Sequence, residues 1–231
     1  MKAVIEIVLL DVKPYSENSL WVCFFSKEYG IQNGIIKGGK KKKTKALVLG
    51  LYFFTLYRPN NDKLQSVVEI ERSCILDAIY SSPSKILVAF FMAESYRSVL
   101  GESGSEQALF VLAKKQILSL NNTKNVHSFP LFYLAQLISF LGYTPLKSEI
   151  KNLVTSRLTG TSHSEKGLEK TSYSPEIIDS TLLLFDKGSN ENMVLKENKA
   201  VFDLIVRYSR HHIPGYRVNK SIDVIRDVLY N

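Results

Sequence analysis

The first 72 residues contain five short segments that are rich in Val, Ile, Leu, Phe and Tyr. Apolar and aromatic segments of this length, separated by clusters of Gly, Pro, Asn, Asp and Ser, are typical of β-strands joined by turns. The turn signals are PYSEN at 14–18, KEYG at 27–30, KGGKKKKTK at 37–45 and RPNND at 58–62. The predicted strands are residues 3–13, 19–26, 31–37, 46–58 and 65–72.

Five short antiparallel strands can remove their exposed edges by closing into a small barrel. The OB-fold is the common five-stranded barrel, and an SH3-like barrel is the main alternative. We therefore predict an α+β fold in which a five-stranded OB-fold barrel precedes helices. Residues 1–75 would form the OB-fold barrel domain, and residues 76–231 an all-α helical domain.

Beyond residue 73, apolar residues recur at helical spacing. Ser174 and Ser221 are expected to cap the helices that follow them, and Gly142 with Pro145 should end the third helix. Residues 147–174 are polar, so we expect an exposed irregular excursion there. The predicted helices are residues 84–100, 106–120, 128–141, 175–185, 196–212 and 222–230.

The segment 37–45, which we call the lysine segment, contains six lysines in nine residues, and the whole chain has a net charge of +8. Lysines are flexible point charges that suit phosphates better than bases. If all six lysines contacted single-stranded DNA, the log–log salt slope of binding would be about −4. A solvated loop or a nuclear localisation signal is the alternative interpretation.

The sequence offers few candidates for other chemistry. Tyr15 and Tyr29, beside predicted turns, are candidates for stacking on bases, whereas Phe24 and Phe53 are expected in the core. The two cysteines are expected to be buried thiols, and the four histidines lack the spacing of a metal site. No GxxxxGK[ST], GxSxG, HExxH or GxGxxG motif is present, so we predict no enzyme, although a nuclease with dispersed carboxylates stays an alternative.

Three stretches of the chain carry recognisable features in a fixed order. Residues 7–46 have an extended strand, a YxExS turn at 15–19, Gly30 and a KG followed by basic residues. Residues 132–146, FYLAQLISFLGYTPL, are a predicted helix that ends in LGY and then Pro, and residues 204–230 contain a helix, an HxPG turn and a last helix that begins with KS. Together these stretches resemble the opening, the central helix and the C-terminal region of the bacterial recombination mediator RecO family. Many members carry a four-cysteine zinc site after the LGY-Pro element, but residues 147–174 contain no cysteine.

The resemblance implies a recombination mediator of RecF-pathway DNA repair that needs no nucleotide, and no zinc or other cofactor is expected. Such a protein binds single- and double-stranded DNA, anneals complementary strands and helps load RecA on DNA covered by single-strand-binding protein. Its implied partners are DNA, RecR, the C-terminal tail of single-strand-binding protein and, indirectly, RecA. The expected location is the cytosol near the nucleoid, without a membrane contact. The alternative is an adaptor that bridges single-strand-binding protein and RecR with only a minor DNA contact.

Several basic residues are expected to contact phosphates. Those of the lysine segment are Lys37, Lys40, Lys41, Lys42, Lys43 and Lys45. Neighbouring turns and the C-terminal region add Lys13, Lys27, Arg207, Arg210, Arg217 and Lys220, and Tyr15 is a DNA-binding candidate through stacking on a base. The C-terminal four could instead stabilise helix C-termini. Lys114 and Lys115 are candidates for holding the acidic tail of single-strand-binding protein, or they belong to a solvated helix face.

Overall fold

The N-terminal part of the chain is a closed barrel of five strands in the order β1-β2-β3-β5-β4. Neighbouring strands are antiparallel except β3 and β5, and β4 closes the barrel by pairing with β1. The strands are β1 (Lys2–Pro14), β2 (Leu20–Ser26), β3 (Gly30–Ile36), β4 (Leu51–Tyr57) and β5 (Gln65–Arg72). The residues that the computed structural model describes are 2–38, 46–57, 64–100, 107–155, 173–186, 197–218 and 220–230.

The inside of the barrel is a continuous apolar core. Alternate residues of β1, among them Ile5, Ile7 and Leu9, point inward and are buried. They pack with Phe24 and Phe54, whose rings meet edge to face with centroids 5.2 Å apart. Burial of each such side chain contributes about 1.5–3 kcal/mol, so the alternation of these strands is sufficient reason for the barrel to close. The predicted α+β fold with a five-stranded N-terminal barrel is confirmed.

The chain forms two compact units. The first comprises Met1–Asn122 and Arg217–Ile225, and the second comprises Thr123–Tyr216 and Arg226–Asn231. The domain boundary expected at residues 75 and 76 stays a prediction: it marks the change from strands to helices, whereas the first unit also contains α1–α3. The helices are α1 (Asp77–Tyr80), α2 (Pro83–Val99), α3 (Gln107–Asn122), α4 (Phe129–Phe140), α5 (Lys147–Thr155), α6 (Pro175–Leu183), α7 (Asn198–His212) and α8 (Lys220–Leu229).

In the first unit, helices cover part of the outer surface of the barrel. Phe25 points out of the barrel and its ring meets that of Phe110 in α3, with centroids 5.5 Å apart. Arg97 of α2 reaches Asp11 of β1 at 2.8 Å. Because α3 covers one end of β2, that strand is apolar on both faces there and does not alternate.

In the second unit, α4 is buried along nearly its whole length. Its chain direction changes at Gly142, whose φ of +84° is readily adopted only by glycine. The predicted stop at Gly142 and Pro145 is therefore confirmed. The Tyr208 hydroxyl of α7 donates to the Tyr143 carbonyl oxygen at 3.0 Å.

Two predictions for β4 are wrong. The strand begins at Leu51 and not at residue 46, because residues 46–50 form a turn in which Leu49 has a φ of +63°. The Leu49 N–H donates to the Leu9 carbonyl oxygen at 2.6 Å, so this turn is fixed to β1. Phe53 is 40% exposed on the outer face, whereas its neighbour Phe54 is fully buried.

The expected irregular excursion at residues 147–174 is wrong for its first third. Lys147–Thr155 is helix α5, in which Ile150 and Leu153 are buried. The Glu149 carboxylate accepts from the Leu146 N–H at 2.8 Å and so caps the first turn. Residues 156–172 lie outside the described part of the chain.

Ser221 is not the N-cap of the last helix, contrary to the prediction from the sequence. Ser221 is the second residue of α8, and its hydroxyl donates to the Glu94 carboxylate at 2.6 Å. Glu94 also accepts from the N–H groups of Lys220 and Ser221, at 3.3 and 3.1 Å. A carboxylate of α2 therefore caps α8, which the local sequence could not indicate. Ser174 does occupy the N-cap position of α6, although its side chain makes no capping hydrogen bond.

The two cysteines differ in how deeply they are buried. Cys23 is buried as expected, and burial raises the pKa of its thiol to about 11. Cys74 is only half-buried, because it follows β5 at the barrel surface, so the expectation of a core thiol is wrong for this residue. None of the described helices combines the length and apolar character needed to span a lipid bilayer.

Candidate nucleic-acid interface

Two turns leave the barrel at the same end. Leu20, the first residue of β2, pairs with Pro14 of β1 and with Ile36 of β3. The β1–β2 turn and the segment that follows β3 therefore start side by side. Lys37 is the first residue after β3 and is exposed. The lysine segment begins at this end, although Lys40, Lys41, Lys42, Lys43 and Lys45 lie outside the described residues.

A row of three residues crosses the outer surface of the barrel just below these turns. Trp21 of β2 pairs with Lys13 of β1 and with Ile35 of β3. Val22, which follows Trp21, is fully buried in the barrel core. Since successive strand residues point to opposite faces, Trp21 and its two partners point outward. Trp21 is only partly buried.

A β-bulge in β1 places Lys13 in this row. The register of β1 against β2 shifts between Leu9 and Asp11, which leaves one extra residue on β1. Beyond the bulge, Val12 packs against the core and Lys13 points outward beside Trp21. Without the extra residue, the alternation of β1 would place Lys13 on the other face.

Lys13 is held loosely at this position. Its ammonium lies 2.8 Å from the Asp11 carboxylate and 5.3 Å from the centroid of the Trp21 ring. Its side chain is nevertheless 60% exposed, and Asp11 also accepts from Arg97. Exposed ion pairs and cation–π contacts of this kind contribute about 1 kcal/mol or less, so Lys13 can exchange them for a phosphate. Tyr15, two residues farther along, is 60% exposed in the turn.

The structure does not bring Lys27 to this surface. Lys27 follows Ser26, at the other end of the seven-residue strand β2, which is about 20 Å away at the usual rise per residue. It lies 3.6 Å from the Glu28 carboxylate. Tyr29 in the same turn packs against the barrel core, which makes it a poor platform for a base.

The outer face formed by β1, β4 and β5 has a different character. Phe53 of β4 lies there between Glu6 of β1 and Glu71 of β5. Val4 and Tyr57 on the same face are 67% and 46% exposed. Glu71 is exposed on this partly apolar surface and Glu6 is paired with Lys114, so the surface offers little to attract a phosphate backbone.

Lys114 and Lys115 have different environments on α3. The Lys114 ammonium donates to both carboxylate oxygens of Glu6 at 2.8 Å, and the Ser73 hydroxyl donates to the same carboxylate at 2.6 Å. Burial acts to raise the pKa of Glu6, but the hydrogen bonds from Lys114 and Ser73 outweigh it, so the pKa lies below its ordinary value. Lys115 is exposed, and Val111 and Leu118, one turn before and after it, are 61% and 41% exposed.

The four candidate basic residues near the C-terminus belong to different units. Arg207 and Arg210 lie on α7 in the second unit, and Arg210 is in its last turn, where a cation is favourable. Arg217 and Lys220 belong to the first unit and are exposed. A DNA contact by these four residues stays a prediction.

Trp21 was not among the residues predicted from the sequence to contact DNA, because it lies within a predicted strand. The signal that could have found it is the alternation with Val22 and Phe24, which predicts that Trp21 points away from them. As for metal ions, no cluster of three or more His, Cys, Asp or Glu that could hold one is found among the described residues.

Comparisons with known proteins bear on this barrel directly. The family model described as recombination protein O, N-terminal, matches residues 1–72, which span the five strands. A DNA repair protein RecO of Flavobacterium psychrophilum is 21% identical, and one of Bacteroides fragilis is 26% identical, each over 96% of both chains. A DNA repair protein RecO of Chloroherpeton thalassium is 28% identical over 71% of this chain and 62% of its own. The N-terminal barrel therefore matches the N-terminal domain model of the RecO family, and the chain is similar to DNA repair proteins RecO over nearly its whole length; this similarity supports a role in DNA repair and recombination.

Proposed function

We propose that the protein is a non-catalytic recombination mediator that binds DNA at the end of the barrel from which the lysine segment leaves. The observation that carries the proposal is the convergence of Lys13, Trp21 and Lys37 at this end. Five-stranded barrels of this kind bind oligonucleotides with the face of the second and third strands and with neighbouring loops. The row through Trp21 and Ile35 lies on that face.

Strand annealing follows from the charge of this surface. Two complementary strands repel each other through their phosphates, and lysines that neutralise both lower this repulsion. The six lysines of the lysine segment make no covalent change in DNA and read no base, so the activity needs no nucleotide and no sequence preference. Holding both strands at one surface also raises their effective concentration.

Engagement of protein partners is the second part of the proposal. Loading of RecA on DNA covered by single-strand-binding protein requires contact with that protein, and RecR is the expected co-mediator. Of the two candidate lysines on α3, Lys115 suits the acidic tail of single-strand-binding protein better, because Lys114 is already paired with Glu6. The exposed Val111 and Leu118 beside Lys115 offer the apolar contact that a Phe-ended tail requires.

Charge-altering variants of the lysine segment test the DNA contact. Replacing its six lysines with glutamine should weaken binding to labelled single strands, flatten the salt dependence and slow annealing of complementary strands. Replacing the same six with arginine preserves the charge and is the matched control, so its salt slope should equal that of the unaltered protein.

The same variants separate the mediator from the adaptor. If the glutamine variant binds and anneals DNA as well as the unaltered protein does, the direct DNA contact is refuted. Loss of binding to a tail peptide on Lys115→Ala, with annealing unchanged, would then favour the adaptor. Cleavage of labelled DNA in the presence of Mg²⁺ would contradict both and indicate a nuclease.

A further inference from the structure

The Trp21 ring is placed differently from the other large aromatic residues of β2. Phe24 is fully buried inside the barrel, and Phe25 is fully buried beneath Phe110 of α3. Trp21 also points outward, but it is only partly buried and lies at the end of the strand beside the turn that carries Tyr15. Its indole is therefore an apolar ring that is partly accessible at the protein surface, with the Lys13 ammonium 5.3 Å from its centroid.

An indole on the outside of a sheet has a specific use in nucleic-acid binding. Bases of a single strand can turn toward the protein and stack on aromatic rings, and this contact tolerates any base because each has a π-face. In a duplex the bases are already stacked on each other, and the grooves expose only their edges. Lysines contact the phosphates of either form, so they do not distinguish the two forms by geometry.

The contacts of Lys13 suit an exchange of partners. In the structure its ammonium stays near the Trp21 ring and the Asp11 carboxylate. A base that stacks on the ring brings its own phosphate, which can replace the ring and Asp11 as partners of the ammonium. Arg97 remains to pair with Asp11 when Lys13 leaves.

We infer that Trp21 is the stacking platform for an unpaired base and that it gives the interface a preference for single-stranded nucleic acid. This inference rests on the proposed function, because it requires that DNA binds at this end of the barrel. Tyr15 extends the platform toward the β1–β2 turn. The ligand class is a single-stranded oligonucleotide of any sequence.

The chain contains one tryptophan, so fluorescence excited at the red edge of the absorption band, where tyrosine does not absorb, reports on Trp21 alone. The full-length protein is titrated with an oligodeoxythymidylate of about 15 nucleotides and, separately, with a duplex of equal length. Anisotropy of a label on the DNA measures binding independently. We expect quenching of the tryptophan by the single strand and little change with the duplex, at concentrations where both are bound.

Three variants complete the test. Trp21→Ala should weaken single-strand binding by roughly 5- to 150-fold, as loss of one base stack does, with duplex binding nearly unchanged. Trp21→Phe should retain most of the affinity because it keeps a flat ring. Phe53→Ala removes an aromatic ring from the acidic outer face and should change neither affinity, which makes it the matched control.

The outcomes separate this inference from the proposed function. Binding that depends on the lysine segment, but without quenching and without an effect of Trp21→Ala, overturns the platform and leaves the proposed function standing. Equal losses for single strand and duplex on Trp21→Ala would also overturn it. If the anisotropy shows no DNA binding at all, the proposed function fails, and the platform fails with it.

Discussion

Lys114 allows a specific prediction, because its ammonium pairs with Glu6 of this chain, whereas the sequence suggested a contact with the tail of single-strand-binding protein. Its ammonium donates to both oxygens of Glu6, which joins α3 to strand β1 of the barrel within the first unit. Replacing it with methionine keeps the length of the side chain and removes the charge. We expect Lys114→Met to destabilise the protein and to leave tail binding unchanged, whereas Lys115→Ala should do the reverse.

The size of the effect follows from the exposure of the pair. The Glu6 side chain is 17% exposed and the Lys114 side chain 35%. A hydrogen bond to a charged group contributes about 1.5–3 kcal/mol, and partial exposure lowers the figure, so we expect a loss of about 1–2 kcal/mol. For a chain of this size the melting temperature should fall by roughly 2 to 8 °C. The Ser73 hydroxyl remains to hold Glu6 in the variant.

The ion pair also predicts a dependence on pH. The pKa of Glu6 in the folded protein lies below its ordinary value of 4.5, so the unfolded chain takes up the proton first. The stabilisation by Glu6 is therefore complete above pH 4.5 and is lost as the pH falls through the lower folded value. Glu6→Gln should remove this part of the acid sensitivity.

Thermal unfolding of Lys114→Met, Glu6→Gln and the double variant, at neutral pH and at about pH 3.5, measures this coupling. The sum of the two single losses in unfolding free energy should exceed the loss in the double variant by about 1 kcal/mol. This excess should shrink at the lower pH. Unchanged stability of Lys114→Met, or strictly additive losses at neutral pH, would refute the reasoning. Loss of tail binding in Lys114→Met with unchanged stability would indicate that Lys114 binds the tail of single-strand-binding protein.

Two further predictions concern the frame that supports the interface. Glu94→Ala should cost about 1–2 kcal/mol and speed amide exchange at Ser221, because the carboxylate caps α8; unchanged exchange would contradict this. Gly34→Ala should cost about 1–3 kcal/mol in chemical unfolding, since a Cβ there would lie 3.2 Å from the Gln65 carbonyl oxygen inside the barrel. Asn33→Ala, at the adjacent exposed position, is its control and should change little.

The barrel could be predicted from the sequence because its strands obey local rules. Alternating residues such as Ile5, Ile7 and Leu9 and the turn signals between strands fix where each strand lies. The start of β4 could not be predicted in this way, because Leu49 is as apolar as a strand residue but has a left-handed backbone. Its hydrogen bond to Leu9, forty residues earlier, helps to stabilise that turn and is a contact that the local sequence does not indicate.

The candidate site was harder to predict because its position depends on pairing between strands. The lysine segment is visible in the sequence, but the placement of its first residue, Lys37, at the same barrel end as Lys13 follows from the register of β1, β2 and β3. For the same reason the sequence could not separate Lys13 from Lys27, which lie at opposite ends of β2. The different roles of Lys114 and Lys115 required knowledge of Glu6, which is 108 residues from Lys114.

The salt dependence of single-strand binding tests the central claim most directly. The equilibrium constant for a labelled, sequence-neutral single strand is measured at several salt concentrations for the unaltered protein and for the variant with six glutamines. The account predicts a log–log slope of about −4 or steeper for the unaltered protein and a slope flatter by about 4 for the variant, which keeps Lys13. Equal slopes for the two proteins would show that the barrel end with the lysine segment is not where the phosphates bind.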